Sequence, residues 1–340
     1  MAILITIIGF GIMIILHELG HFITAKKFGV LVHEFSIGMG PKIVSFGKGE
    51  TKYSLRLFPI GGYVKLEGEN EVEENDNPRS FSNLHPLKRI IVLISGALMN
   101  ILLGFMIFTI INLSVGIVPS VVESVPDKMK NRQVYLESGD EILRLNNTRV
   151  RTNDDVLLFM SRYKEGDPIS ITIKRDGEKM TVKEFTPIKT DEGYKLGVIF
   201  KNEDSSLIKS AEFAVYDTVY ITKAVLYAVG DLVSGRVGMN TLSGPVEIVS
   251  VVDSVASAKT EYTFLSILML FAMITVNLGV FNLLPFPALD GGSIVFALYE
   301  LITRKKVKSE IIGYASIIGF VLLMVLAVFV TVGDIADLFN

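Results

Sequence analysis

The sequence predicts a multi-pass α-helical membrane protein with about four transmembrane helices, a cytoplasmic-side β-hairpin and a small extracytoplasmic α+β domain. Three observations carry this prediction. Half of the 340 residues are hydrophobic and the mean hydropathy is +0.47, too apolar for an ordinary soluble chain. Four stretches are long and apolar enough for the roughly 20 helical residues that a bilayer needs. Between the second and third of them the composition becomes that of a water-facing domain.

Composition also excludes. A net charge of −3 gives no reason to expect a nucleic-acid partner. The chain has no cysteine, so disulfides and thiolate ligation are ruled out and any metal must be held by nitrogen and oxygen.

The first span is expected over 1–24. Its start, "MAILITIIGFGIMIIL", lacks the basic region and small-residue cleavage site of a signal peptide, so it is read as retained. The connection 25–89 carries basic residues clustered near its ends, including Lys26, Lys27, Lys88 and Arg89. Within it, "KYSLRLFPIGGYVKLEG" (52–68) alternates around Gly61–Gly62 and is expected to form a membrane-associated β-hairpin, while the acidic stretch 67–80 reads as a solvated loop. The second span is expected over 90–114.

Residues 115–205 read as the external domain. "DEILRLNNTRV" alternates through an Asn-Asn turn, "NDDVLLFMSRY" has helical spacing, and "DPISITIKRDGEKMTVKEF" is a hairpin with an Asp-Gly turn. Residues 206–262 hold an amphipathic helix and a connection. In 263–302 a span ends at about residue 284, because Pro285 and Pro287 break the helix. An extended piece carrying Asp290 and a short helix over about 292–302 are expected to follow. A basic link and the last span fill 303–340. The basic bias of 25–89 and of Arg304, Lys305, Lys306 and Lys308 places both links in the cytoplasm and both termini outside.

"ILHELGHF" (15–22) puts three polar side chains at the end of the first apolar run. On a helix, His17 and His21 project from one face, one turn apart, and Glu18 lies on the adjoining flank. Two imidazoles so spaced can share a zinc ion (Zn2+), with the glutamate acting on water there. Ionisable groups within a span are expensive to bury and are functional by default. A third ligand is required. His33 and His85 are candidates in the soluble connection, and Asp290 is favoured as the sole charge between Phe264 and Tyr299 before Glu300.

"HELGH", "NLLPFPALDGG" and the external insert together resemble the site-2 protease family of intramembrane zinc metalloproteases, of the bacterial RseP/RasP type with a PDZ insertion. "SIGMGPKI" (36–43), "RLFPIGGYVKLEGE" (56–69), "SFSNLHPLKRIIVLISGALMN" (80–100) and "LSGPVEI" (242–248) extend the resemblance over nearly the whole chain. It implies that His17, His21 and Asp290 bind zinc, that Glu18 is the general base, and that Asn282 holds the substrate backbone or stabilises the oxyanion. It also implies a PDZ-like fold for the external domain. Two departures stand out. The family's GPxxN pattern reads "GALMN", so Gly96 and Asn100 carry over without the proline. The "GSPAxxAGL" run is absent, and Asn147 replaces a customary glycine at a turn tolerant of positive φ.

The resemblance implies regulated cleavage of a single-span membrane protein, such as an anti-sigma factor or a remnant signal peptide. A bulky ectodomain would be excluded until an upstream site-1 protease trims it. The expected partners are therefore that substrate, the first protease and the lipid bilayer. A strand edge at Gly61 and Gly62 could pair with the unwound substrate, with Gly38, Gly40 and Asn100 as further substrate contacts. Non-enzymatic alternatives are a membrane scaffold or a transporter using the same polar site, against which the sequence shows no paired inverted halves.

Overall fold

The computed structural model describes residues 1–340 except 48, 70–76, 127–135, 192, 240, 241, 243 and 338–340. Much of the acidic loop 67–80 and the segment standing in place of "GSPAxxAGL" thus lie outside the described residues. Four of the described helices are long and apolar enough to cross a membrane: α1 (Ala2–Lys27), α2 (Pro86–Val115), α6 (Thr263–Asn282) and α8 (Ser309–Asp337). They coincide with the four expected spans; α1, α2 and α8 run a few residues longer, and α6 ends at Asn282, two residues short of the expected 284. The chain divides into two compact units, residues 1–104 with 225–340, and residues 105–224.

In the first unit the spans meet through small residues. A Cβ at Gly20 would overlap the Ser95 carbonyl of α2, and one at Gly279 would sit 2.8 Å from the Ala97 carbonyl. Close backbone approach of this kind replaces the hydrophobic drive that lipid removes. The connection 206–262 holds two helices rather than one, α4 (Leu207–Val233) and α5 (Pro245–Ser257). Pro245 opens α5, and Asp334 near the end of α8 accepts from the amides of Gly244, Val246 and Glu247 at 3.0, 3.1 and 3.1 Å. A carboxylate there satisfies orphan donors and complements the helix dipole, which gives "LSGPVEI" a structural role.

The expected hairpin within 52–68 is not formed as such. Residues Lys52–Leu66 make up β2, which pairs with β1 (Val32–Phe46). Both strands turn back on themselves. The register joins Phe35 to both Tyr53 and Val64, and Phe46 to Tyr53, so the arms lie side by side in the order 42–46, 52–56, 32–37, 62–66. The two halves of β2 therefore flank β1 instead of each other. Alternation revealed the strand but not its partner.

A polar knot holds these arms. Arg56 donates to Ser36 Oγ at 3.0 Å, the Gly40 carbonyl at 2.7 Å and Glu34 at 3.1 Å, and Tyr63 donates to Glu34 at 2.9 Å. Burial alone would raise the Glu34 carboxyl. Hydrogen bonds from Ser54, Tyr63 and Arg56, with the Lys42 charge, outweigh it and bring the pKa down to about 2. Gly38 occupies a left-handed φ of 84° with the Phe58 carbonyl 2.6 Å from where a Cβ would be. This turn admits only glycine without strain.

After the short β3 (Val122–Ser124), the second unit contains a four-stranded antiparallel sheet, built from β4 (Glu141–Leu145), β5 (Thr148–Arg149), β6 (Ile169–Arg175) and β7 (Glu178–Phe185) in the order β5-β4-β6-β7. Helix α3 (Asn153–Ser161), capped by Thr152, follows β5. The β6–β7 turn uses Asp176 and Gly177 at φ 50° and 86°, as a two-residue hairpin requires. In the β4–β5 turn the positive φ falls on Asn146, at 51°, and not on Asn147. Ile142, Leu145, Ile169, Ile171, Ile173, Val156 and Met160 form the core.

Asp140 is fully buried at the edge of this core and takes Arg175 through two bonds of 2.7 and 2.8 Å. Asp140 also accepts from the Glu137 amide at 2.8 Å, so its loss removes three bonds to a buried carboxylate while Arg175 keeps Glu137. Asp140→Ala is expected to cost the sheet about 2 kcal/mol, read as lost hydrogen-exchange protection of β4 and β6 in the full-length protein. Unchanged protection there would show that the pair does not hold the sheet.

Candidate metal centre

The first unit brings together the three donors expected from residues far apart in sequence. His17 Nε2 and His21 Nε2 lie 3.1 Å apart, and Asp290 Oδ2 lies 3.2 Å from the first and 3.4 Å from the second. Among the described residues these form the one group of three or more such side chains close enough to hold a metal. Helical periodicity accounts for the pair, since both rings leave α1 on one face. The third donor arrives from α7 (Asp290–Thr303).

The approach of Asp290 differs from the expected extended piece. After α6 ends at Asn282, residues 283–289 form successive turns, with Phe286 N bonded to the Leu284 carbonyl at 2.7 Å and Leu289 N to Phe286 at 3.1 Å. Asp290 is then the first residue of α7, with Leu289 as its N-cap. Gly291 and Gly292 belong to that helix, packed directly on the carbonyls of Leu283, Leu284 and Phe286. They permit a close turn-to-helix contact and not a sharp chain reversal.

The donors fit zinc. Tetrahedral bonds of about 2.0–2.1 Å place ligand atoms roughly 3.3–3.4 Å apart, which the three observed separations bracket. Asp290 Oδ2 is buried and makes no hydrogen bond, an orphaned acceptor of the kind that calls for an ion. His21 is aimed by its other nitrogen, since Nδ1 donates to the Val92 carbonyl at 2.9 Å, leaving Nε2 for the metal. Asn100 lies behind His17, its side-chain amide 3.5 Å from Nδ1. Asn100 is fully buried and its Oδ1 has no partner. Turning the amide over would present that oxygen to a His17 Nδ1–H, the tautomer that metal on Nε2 demands.

Glu18 lies on the flank of the same helix, within electrostatic reach of His17, His21 and Asp290, and is met by the backbone amide of Val64. Gly62 crosses over it: a Cβ there would be 3.5 Å from Glu18 Cγ and 2.9 Å from the Ser36 carbonyl. The arm 62–66 thus runs directly beside the carboxylate. Gly38 and Gly40 sit within β1 at turns of the backbone, each with a φ of 84°, and Gly61 adjoins Met39. Asn282 ends α6, half-buried, and no described hydrogen bond ties its side chain to the donors. His33 pairs with Glu67, and His85 lies before α2, so neither joins the cluster.

Gly96, which the resemblance carried over without a role, lies at the site. Gly96 of α2 faces both rings, and a Cβ there would overlap His21 Nε2 and come within 2.9 Å of His17 Cε1. The GPxxN resemblance marked this glycine, but what it packs against is set by the opposing helix.

His17 and His21 stand ten and six residues before the end of α1 at Lys27, roughly 15 and 9 Å along the helix. Two of the donors thus lie within a helix long and apolar enough to cross a membrane, with a carboxylate beside them, a grouping that has the chemistry of a membrane metalloprotease. The chain belongs to peptidase family M50, whose model matches residues 5–326. A relative from Clostridium acetobutylicum, named as a candidate zinc metalloprotease, is 37% identical over 98% of this chain and 97% of its own length. One from Campylobacter jejuni, named likewise, is 34% identical over 98% and 93%. The zinc metalloprotease RasP of Geobacillus kaustophilus is 29% identical over 98% and 97%. The chain is therefore a zinc metalloprotease and a multi-pass membrane protein.

Proposed function

We propose that the protein is an intramembrane endopeptidase that cuts the membrane-spanning segment of single-span proteins, with His17, His21 and Asp290 as zinc ligands and Glu18 as general base. The convergence of three donors within bonding distance of one ion, two from α1 and one from the start of α7, carries this reading. Zinc, when bound, supplies Lewis acidity to the scissile carbonyl and lowers the pKa of water. Glu18 takes the proton of the attacking water and delivers it to the leaving amine nitrogen. Val92 and Asn100 hold the two imidazoles in place, Asn100 thereby acting as a positioning residue for His17 as well as a neighbour of substrate.

A helical substrate hides its peptide bonds and must unwind to be cut. The arm 62–66 supports a means of holding it. Its pairings among the described residues run to residues 32–37, so the opposite edge can add an extended chain beside Glu18. Gly61 and Gly62 leave room for that chain, and Gly38 and Gly40 shape the β1 arm behind it. Asn282 then serves the substrate backbone from the end of α6.

The antiparallel sheet with α3 supports a PDZ-like reading of the 115–205 domain, and the basic links support an arrangement with that domain and both termini extracytoplasmic. In that arrangement the domain filters substrates by size, so that anti-sigma factor-like proteins are cut after a site-1 protease removes their bulk. The test is reconstitution in liposomes with zinc and single-span substrates of graded ectodomain length. Cleavage within the span, rising as the ectodomain shortens, is expected. Cleavage outside the span would overturn the intramembrane assignment, and equal rates at every length would remove the filter.

A further inference from the structure

Two cavities of the first unit adjoin each other at the ends where α2 and α8 begin, and the metal donors line neither. One, of about 530 Å³, is bordered by His85, Arg89, Arg304, Lys305 and Lys306, with Glu300 as its only acid among the described lining residues. The other, of about 360 Å³, shares Ser82 and Arg89 with the first, carries Glu69 and Ser293 on its polar side, and continues between α7 and α8 past Leu93, Phe296, Ile312 and Ile317. The pair thus forms a basic chamber opening into a slot with one apolar wall.

Among the described residues, the charge of the chamber is not cancelled from within. Glu300 is already engaged: one oxygen takes Arg89 and the other accepts the Val307 amide at 2.9 Å. Among the described residues, Arg304, Lys305 and Lys306 form no ion pair, although Lys306 reaches the Asn83 side chain at 3.5 Å. Arg89 is itself buried, and its Nε has no hydrogen-bond partner. A buried, unpaired guanidinium donor is costly unless something accepts from it. Arg304 is held in the left-handed region, at φ 58°, with its amide on the Glu300 carbonyl. A non-glycine residue seldom adopts that conformation, and here it turns the basic link onto the chamber.

Position supplies the remaining argument. Pro86 opens α2 and Ser309 opens α8, both of membrane length. The ends of helices that cross a bilayer lie where acyl chain gives way to headgroup, and the helix dipoles add positive potential at these N-termini. Basic pockets between membrane helices at that level suit phospholipid headgroups. The apolar wall of the slot beside the chamber distinguishes a lipid from a free phosphate, which would have no use for it.

We propose that these cavities bind one anionic phospholipid, with its phosphate accepting from Arg89, Arg304, Lys305 and Lys306 and an acyl chain lying in the slot against α7 and α8. The test uses the full chain in detergent and native mass spectrometry, titrated separately with phosphatidylglycerol, phosphatidylcholine and inorganic phosphate. It compares wild type, Arg304→Gln/Lys305→Gln/Lys306→Gln, and a control of equal charge change, Lys27→Gln/Lys52→Gln/Lys65→Gln. Wild type and control are expected to retain phosphatidylglycerol in preference to phosphatidylcholine, and the link variant to bind it roughly a hundredfold more weakly. Inorganic phosphate is not expected to displace the lipid. Retained zinc in the link variant shows that it has folded. Equal retention by the link variant, equal losses in both triple variants, or no preference over phosphatidylcholine would overturn the proposal. Displacement by inorganic phosphate at comparable concentration would assign the chamber to the free anion and overturn the lipid.

Discussion

Glu18→Gln is expected to reduce cleavage by about a thousandfold while the zinc content stays that of wild type. General-base assistance is worth roughly 10²–10⁴ in rate, and the amide keeps the size and packing of the carboxyl while losing its basicity. The expectation rests on the division of labour across one helical turn. His17 and His21 share a face with Asp290, and Glu18 stands beside them without being one of the three clustered donors. The Val64 amide that meets the carboxylate can equally meet the amide oxygen of glutamine. The measurement is paired: turnover of a reconstituted single-span substrate, and metal content of the same preparation. Wild-type turnover would remove Glu18 from the chemistry. Lost zinc would make it a ligand and not a base.

Gly96→Ala is expected to weaken zinc binding by about 10–100-fold, although residue 96 contributes no donor. The rings of His17 and His21 lie against the bare α2 backbone, with room for nothing larger than hydrogen. His21 cannot swing aside without breaking its bond to Val92, one turn earlier on α2. A methyl group must therefore separate the helices or tilt both rings from Asp290. Closely packed interiors yield little to such an insertion. Gly333→Ala, where an added Cβ meets nothing within 4 Å, supplies the control and is expected to bind zinc normally. Competition against a chromophoric chelator reads both. Equal affinity in all three proteins would show that the α1–α2 contact does not shape the site.

The residues that declare chemistry were legible because their physics is local or is set by the membrane. His17, Glu18 and His21 needed only the helical period, and Asp290 stood out as a charge isolated in an apolar stretch. What local pattern could not supply was the partner. Period-two alternation in 52–68 marked a strand but could not tell a hairpin from an arm lying on β1. The glycines and Pro41 of "SIGMGPKI" hid β1 itself. Pro285 and Pro287 announced a break after α6, yet the break is a set of tight turns that delivers Asp290 as a helix's first residue. Helix α5 lay unnoticed in a connection whose anchor, Asp334, stands some 90 residues away. Gly20 and Gly96 acquire meaning only when α1 meets α2.

The central claim is that one zinc ion is held by His17, His21 and Asp290 together, and the direct measurement is metal stoichiometry by plasma mass spectrometry. The purified full-length protein should be compared with His17→Ala and Asp290→Ala, with circular dichroism confirming equal helix content. Near one zinc per wild-type chain, and loss of it in each variant, is the expected result. A full complement of zinc in Asp290→Ala, or none in the wild type after zinc loading, would contradict the account.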